Sequence, residues 1–200
     1  MIWMNGIMEG CKIFAAYVFP LFLAGTVLTV FATRSVNVAK SVAFGAFLLY
    51  GCCVFGLVFL PLPGMEEAAA LTYRAELMPF HCIGDALKDP FRGTLVILFN
   101  VIMTIPFGMF LRYYFGMDAK RVFLYSLALT TVIEFGQFSG LFFIFKGSYR
   151  LFEVDDLILN TLGGMLGYLA VKKTEGLLPV LSSFDKSLGR GKLKVVRQNA

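Results

Sequence analysis

The sequence predicts an all-α, polytopic integral membrane protein with about five transmembrane helices. Of its 200 residues, 58% are hydrophobic and 16% are charged, and the mean hydropathy is +0.76. Soluble domains are nearer to about 45–50% apolar and about 25% charged. Several apolar runs also approach the roughly 20 residues that a helix needs to cross a hydrocarbon core about 30 Å thick.

Two transmembrane helices are predicted within residues 1–60. The first covers residues 13–33 and tolerates Pro20, as membrane helices do; its apolar run is too long for the core of a cleaved signal peptide. The second covers residues 41–60 and is stopped by the sequence Leu60-Pro-Leu-Pro-Gly64. Residues 61–94 are then predicted to form an extracytoplasmic segment, in which Ala75-Glu-Leu-Met-Pro-Phe80 is apolar enough to begin a re-entrant or interfacial stretch.

Three further spans are predicted within residues 95–171, at residues 95–115, 122–144 and 157–171. Pro106 is expected to kink the first of them, because proline lacks a backbone donor. Gly163 and Gly167 give the last span a small-residue face for close helix packing. Residues 172–200 form a basic tail with seven basic and two acidic residues, whereas residues 1–171 carry eleven of each.

The charges of the connecting segments predict the orientation. The loop with Arg34 and Lys40, the loop around residues 117–121 and the tail are basic, whereas residues 65–92 and 146–156 are rich in acids. Five spans place the basic segments on one side, so the positive-inside rule puts the N-terminus outside and the C-terminus in the cytoplasm of a bacterial cell. Anionic lipid is the expected partner of the tail, and nucleic acid is not expected.

Polar side chains cluster at the ends of the last two spans and in the loop between them. An ionisable residue inside a span costs roughly 2.5–3.5 kcal/mol on insertion scales, so it is seldom accidental. Residues three or four apart share a helical face, which pairs Glu134 with Gln137 and Asp156 with Asn160. We therefore predict a polar cleft that opens to the outside. Its candidate binding residues are Asn100, Glu134, Gln137, Arg150, Asp155, Asp156 and Asn160.

Each group also has a structural interpretation. Glu134 and Gln137 can instead fasten one span to the next by hydrogen bonds. Arg150 can pair with an aspartate at the N-terminus of the last span, where acids are favoured. Asp155 and Asp156 offer oxygen ligands to a hard cation, but no metal and no cofactor is assigned. Because consecutive aspartates point in different directions on a helix, we expect one of the two to face the cleft.

Four sequence elements together resemble the VanZ-like family of bacterial membrane proteins, named after an accessory protein of teicoplanin resistance. They are Leu77-Met-Pro-Phe80, Phe99-Asn-Val with Ile105-Pro-Phe-Gly108, Ile133-Glu-Phe-Gly-Gln137, and Arg150 followed by Val154-Asp-Asp-Leu-Ile-Leu-Asn-Thr-Leu-Gly-Gly164 and Gly167-Tyr168. The resemblance runs from about residue 60 to residue 171. It implies a membrane protein tied to the cell envelope and, in the founding case, to resistance against a lipoglycopeptide. It implies no established reaction.

Two functions of different class are consistent with these residues. In the first, the cleft binds a lipid-linked headgroup, an envelope precursor or a peptide, and so alters the access of teicoplanin-type glycopeptides to the cell surface. In the alternative, an intramembrane enzyme modifies a lipid headgroup, with Glu134 as acid or base and Asp155 or Asp156 as further catalytic candidates. A purely structural scaffold is the third interpretation.

Overall fold

A computed structural model describes residues 2–64, 72–148 and 150–187. The described residues are mostly helical and form two compact units, one from residues 2–60 with 174–187 and the other from the described residues of 61–173. Among these residues, four helical stretches are long and apolar enough to cross a membrane, as in a multi-pass membrane protein. They are Met4–Thr33, Val38–Phe59, Pro90–Phe115 and Val154–Thr174.

The first unit begins with one long helical stretch. Helix α1 (Ile2–Ile13) runs through a π-helical segment (Phe14–Val18) into α2 (Phe19–Thr33). The helix therefore starts eleven residues before the predicted span at residue 13. The wider π-helical turns lie directly before Pro20, whose ring would collide with a carbonyl of a regular preceding turn.

Helix α3 (Val38–Phe59) starts three residues before the predicted residue 41, because Asn37 accepts a hydrogen bond from the Lys40 N–H at 2.8 Å and caps it.

The start of the tail packs against the loop between α2 and α3. Strand β1 (Ser35–Asn37) pairs antiparallel with β4 (Asp185–Ser187), and the Asn37 side chain donates to the Leu181 carbonyl at 2.7 Å. A 3-10 turn (Leu181–Phe184) precedes β4. These two basic segments of the sequence therefore lie side by side. The other predicted tail charges, at Arg190, Lys192, Lys194 and Arg197, lie outside the described residues.

Helices α1 and α3 pack at very short range through glycine. A Cβ added to Gly10 would lie 2.4 Å from the Cys52 carbonyl oxygen, and one added to Gly56 would lie 2.1 Å from that of Gly6. Side chains are excluded at both positions, which lets the two backbones touch.

This packing predicts a cross-link. The Sγ atoms of Cys11 and Cys53 lie 3.8 Å apart, so a small rotation brings them to the roughly 2.05 Å of a disulfide. We expect copper phenanthroline to take up the two thiol electrons and form this disulfide within one chain, seen as the loss of two sites for a maleimide-polyethylene glycol reagent. Cys11→Ser should abolish the reaction, and persistence of all thiols in the wild type would contradict the α1–α3 contact.

The described part of the second unit contains three long helices and one helix of eight residues, besides the four-residue helical turn Gly140–Phe143. Strand β2 (Ala75–Glu76) is followed by α4 (His81–Lys88), α5 (Pro90–Phe115), α6 (Ala119–Phe138), β3 (Phe152–Glu153) and α7 (Val154–Thr174). Strands β2 and β3 pair in parallel, with Ala75 opposite Phe152 and Glu76 opposite Glu153. Asp89 caps α5 and Asp118 caps α6, and Gly116 in the left-handed region ends α5. Helices α5 and α7 therefore begin five and three residues before the predicted spans at residues 95 and 157.

The predicted span at residues 122–144 is wrong at its C-terminal end. Helix α6 ends at Phe138, and Gly140, Leu141, Phe142 and Phe143 all have positive φ angles between 55° and 70°. Ser139 supports the break: its Oγ donates to the Phe135 carbonyl at 2.6 Å and accepts the Phe142 N–H at 3.1 Å. The residues of this left-handed turn are as apolar as a helix interior, so hydropathy could not reveal the break.

Helix α6 is also not among the four membrane-spanning candidates. Its polar residues Ser126, Thr130, Glu134 and Gln137 recur at intervals of four, four and three and so occupy one helical face. All four are buried. They lower the hydropathy of α6 while facing the interior of the unit.

Candidate functional site

The three long helices of the second unit, α5, α6 and α7, share a spacing that aligns them in layers. Each helix carries small or polar residues at intervals of four, and residues of the three helices fall into matching triplets that are linked through α7. We call this set of helices the three-helix core. The triplets, from the apolar end onward, are Leu111, Val122 and Tyr168; Gly108, Ser126 and Gly164; Thr104, Thr130 and Asn160; and Asn100, Glu134 and Asp156.

The first two layers provide tight packing. Leu111, Val122 and Tyr168 form a buried hydrophobic cluster. In the next layer a Cβ on Gly108 would lie 1.8 Å from the Gly164 carbonyl oxygen, and one on Gly164 would lie 2.1 Å from the Ser126 Oγ. The backbones of α5 and α7 therefore touch here, and the position of every later layer follows from this contact.

The third layer is a buried hydrogen-bond network. The Thr104 hydroxyl donates to the Asn160 carbonyl at 2.6 Å, and the Asn160 amide donates to the Thr130 hydroxyl at 3.1 Å. Thr130 in turn donates to the Asp156 carbonyl at 3.4 Å. Asn160 was predicted to bind a ligand, but the structure places it one layer below the polar end of the core, where it links the helices.

The fourth layer brings together three of the predicted site residues. The Asn100 amide donates a hydrogen bond to Oδ1 of Asp156. Glu134 is fully buried beside them, and its carboxyl interacts electrostatically with that of Asp156. Its Oε2 accepts the Glu153 backbone N–H at 3.3 Å. Asn100 and Asp156 are half-buried, so this layer is reached from the end of the core.

Arg150 and Glu153 complete this polar end, which we define as Asn100, Glu134, Arg150, Glu153 and Asp156. The positive charge of half-buried Arg150 acts on the carboxyl groups of both Glu134 and Asp156. Burial, together with the carboxylates of Asp155 and Asp85, raises the pKa of Glu153 above its ordinary value. One arginine therefore acts on two of the three carboxyl groups of the polar end, those of Glu134 and Asp156.

Asp155 points away from this cluster. Its Oδ1 accepts the Phe80 N–H at 2.6 Å and its Oδ2 accepts the Cys82 N–H at 2.7 Å. It therefore caps the N-terminus of α4, although it belongs to α7. Of the two adjacent aspartates, Asp156 faces the polar end and Asp155 holds α4. Gln137 is buried one turn beyond Glu134 on α6.

Several structural residues of this site were not singled out from the sequence. Thr104, Thr130 and Ser126 were missed, although their four-residue spacing from Asn100 and Glu134 was a readable signal. Ser148 is a further structural residue of this site. It is fully buried, donates to the Phe138 carbonyl at 2.7 Å and accepts the Arg74 N–H at 3.3 Å, so it ties the β2 strand to the end of α6.

The acidic side chains do not converge on a metal geometry within the part of the chain that the structure describes, where no group of three His, Cys, Asp or Glu residues is placed to hold an ion. The separation of Asp155 from Asp156 accounts for this, because the oxygens of Asp155 are occupied by backbone N–H groups. The polar end offers hydrogen-bond donors and acceptors and the positive charge of Arg150.

Comparison with known protein families identifies the part of the chain that contains this core. A family model described as VanZ/LLP1 matches residues 47–178, about two thirds of the chain. Comparison with curated proteins and with solved structures found no match. The matched range contains all of the three-helix core, its polar end and α4, and it begins within α3. The chain therefore belongs to the VanZ/LLP1 family.

Proposed function

We propose that this protein is a cell-envelope membrane protein that binds the polar headgroup of a lipid, or of a lipid-linked envelope precursor or peptide, at the polar end of its three-helix core. The observation that carries the proposal is the fourth layer. An arginine, an asparagine and an aspartate are half-exposed at one end of the core, directly above a carboxylate that is 1% exposed. Charge at this depth is costly in a membrane and is typical of a binding function.

The half-exposed residues of the polar end and the buried Glu134 have different roles in this proposal. Arg150 offers a planar fork for a phosphate or carboxylate, while Asp156 and Asn100 accept or donate hydrogen bonds to hydroxyl and amide groups. Glu134 lies behind them and holds the backbone of Glu153 through its Oε2. It acts as a positioning residue for the loop that carries Arg150.

We further propose five membrane crossings, with α6 as the fourth. Only three residues separate α5 from α6, and α6 is linked to α7 at four successive layers. The polar side chains of α6 are buried within the unit. Its lower hydropathy therefore does not prevent the other side chains of α6 from facing lipid. The pairing of β1 with β4 supports a common side for the α2–α3 loop and the tail, which the positive-inside rule assigns to the cytoplasm. The polar end then faces outward.

The likeness to the family that takes its name from teicoplanin resistance supports a contribution to that resistance. Binding at an outward-facing headgroup site would change how much lipid-linked target a glycopeptide can reach. The alternative, an intramembrane enzyme with Glu134 as acid or base, requires a ligand to reach Glu134. Its burial beneath Asn100 and Asp156 favours binding.

The test compares antibiotic susceptibility of cells that express the wild type, Glu134→Gln or Arg150→Ala at matched membrane levels. We expect a teicoplanin-selective rise in tolerance for the wild type and its loss in both variants. Arg150→Lys should be as damaging as alanine, because a point charge cannot replace a planar fork.

Arg74→Ala is the matched control, since the Arg74 side chain is exposed and its backbone forms the contacts to Ser148 and Phe152. Full activity of Arg150→Ala would refute the binding role. A new lipid product that disappears in Glu134→Gln would instead support the enzyme.

A further inference from the structure

Helix α4 and the residues before it expose an unusually apolar surface. Phe80, Ile83, Leu87 and Phe91 are 62%, 53%, 79% and 75% exposed, and Leu77 and Met78 are each 66% exposed. Soluble proteins seldom leave so many large apolar side chains of one short segment in water. We call this set the α4 apolar side.

The helix has three distinct sides. Ile83 and Leu87 lie four residues apart on the apolar side, while His81, Asp85 and Lys88 occupy the opposite side. These polar residues are paired with one another: Asp85 contacts the His81 Nδ1 at 3.2 Å and the Lys88 Nζ at 3.1 Å. The α4 helix is therefore amphipathic, with its polar side chains exposed as well.

The third side fixes α4 in place. Ala86 packs against α5 so closely that a Cβ on Gly93 would lie 2.4 Å from the Ala86 Cα. At the other end, Asp155 holds the N–H groups of Phe80 and Cys82. With both ends attached, α4 cannot rotate to bury Ile83 and Leu87 within the unit.

We infer that the α4 apolar side is embedded in the lipid of the same bilayer that α5 crosses, so that α4 lies in the membrane interface. A single residue, Asp89, separates α4 from α5, which is a membrane-spanning candidate, and the exposed Phe91 lies in the first turn of α5. Eight residues make a helix of about 12 Å, too short to cross a bilayer. An amphipathic helix of this kind places its apolar side at the boundary between headgroups and acyl chains. The inference does not depend on what the polar end binds.

Tryptophan quenching tests this position. Trp3 is the single tryptophan of the chain, so Trp3→Phe provides a silent background for Leu87→Trp, with Ile83→Trp as a second probe. Lys88→Trp, the next residue on the polar side, is the matched control, and Leu28→Trp marks a position within a membrane-spanning candidate. The purified variants are reconstituted in phosphatidylcholine and phosphatidylglycerol vesicles, with lipids brominated either near the headgroup or near the chain end.

We expect the Leu87 and Ile83 probes to be quenched at least twofold more by lipid brominated near the headgroup than by lipid brominated near the chain end, and to resist acrylamide. The Lys88 probe should instead be quenched by acrylamide and only weakly by either brominated lipid. Quenching of the Leu87 and Ile83 probes by acrylamide but not by bromolipid would show that α4 is in water and overturn the inference. Protection from both quenchers would mean that protein covers this side, which would overturn it equally.

Discussion

Replacing Gly108 with alanine is expected to unfold the three-helix core at a temperature well below that of the wild type. The new Cβ would lie 1.8 Å from the Gly164 carbonyl oxygen, so α5 and α7 would have to separate by more than an ångström, and the hydrogen-bonded layer above would separate with them. Overpacking typically costs about 1–3 kcal/mol and occasionally more; we expect about 3 kcal/mol or more here. Heating in mild detergent followed by fluorescence-detected gel filtration measures the change.

A control variant and a compensating second substitution test whether the loss of stability comes from this contact. Gly51→Ala, in α3, has no atom within 4 Å of the added Cβ and should leave the melting temperature unchanged or raise it, because alanine favours the helix. Gly164→Ala meets the Ser126 side chain, at 2.1 Å from its Oγ. Ser126→Gly should therefore restore much of the stability of Gly164→Ala, but not that of Gly108→Ala, whose clash is with backbone. Equal melting of Gly108→Ala and the wild type would contradict the contact.

Asp155→Asn is expected to detach α4 while leaving the core folded. The carboxylate accepts two backbone N–H groups, whereas an amide offers one oxygen and turns a donor toward the second N–H. A hydrogen bond to a charged group contributes about 1.5–3 kcal/mol, so the capped turn should open.

Cys82 reports the change directly. Burial and then the neighbouring Asp155 carboxylate raise the pKa of the Cys82 thiol to about 11, so little reactive thiolate is present at neutral pH. Removing the charge and loosening the turn both lower the pKa of this thiol, which increases the thiolate fraction. The other three cysteines, Cys11, Cys52 and Cys53, are replaced by serine in all variants. We then expect maleimide to label Cys82 about tenfold faster in Asp155→Asn than in the protein with Asp155, because a fall of about one unit in the pKa of the thiol raises the thiolate fraction about tenfold.

Asp85→Asn provides the comparison, because Asp85 lies on the exposed side of α4 and does not bond to the Cys82 backbone. Its labelling rate should match that of the wild type. Unchanged labelling in Asp155→Asn would show that Asp155 does not hold α4.

The polar positions at the end of the core were readable from the sequence because the membrane makes them conspicuous. Glu134 and Asp156 stand out in apolar runs for a physical reason, the cost of burying charge. The roles of Asp155 and Asn160 were not readable, since both depend on which helix lies opposite. Helical spacing showed that the side chains of Asp155 and Asp156 point in different directions. It could not show that Asp155 contacts α4 and that Asp156 contacts Asn100.

The helix boundaries illustrate a second limit. The sequence located four of the five predicted spans within a few residues at their C-terminal ends, because those ends coincide with a change of polarity or, after the second span, with prolines. Hydropathy failed at Ser139, where a left-handed turn follows α6 without any such change. Turn geometry of this kind is encoded in a serine and a glycine, which are common inside membrane helices too.

The matched spacing of the three-helix core has a consequence for how this sequence can change length. A single inserted residue between Ser126 and Glu134 would rotate one end of α6 by about 100° relative to the other. Thr130 or Glu134 would then turn away from the interior of the core, and every layer beyond the insertion would lose its partners together. Insertions and deletions should therefore be confined to the connections outside the core, whereas between positions 100–111, 122–134 and 156–168 related sequences should keep the same number of residues.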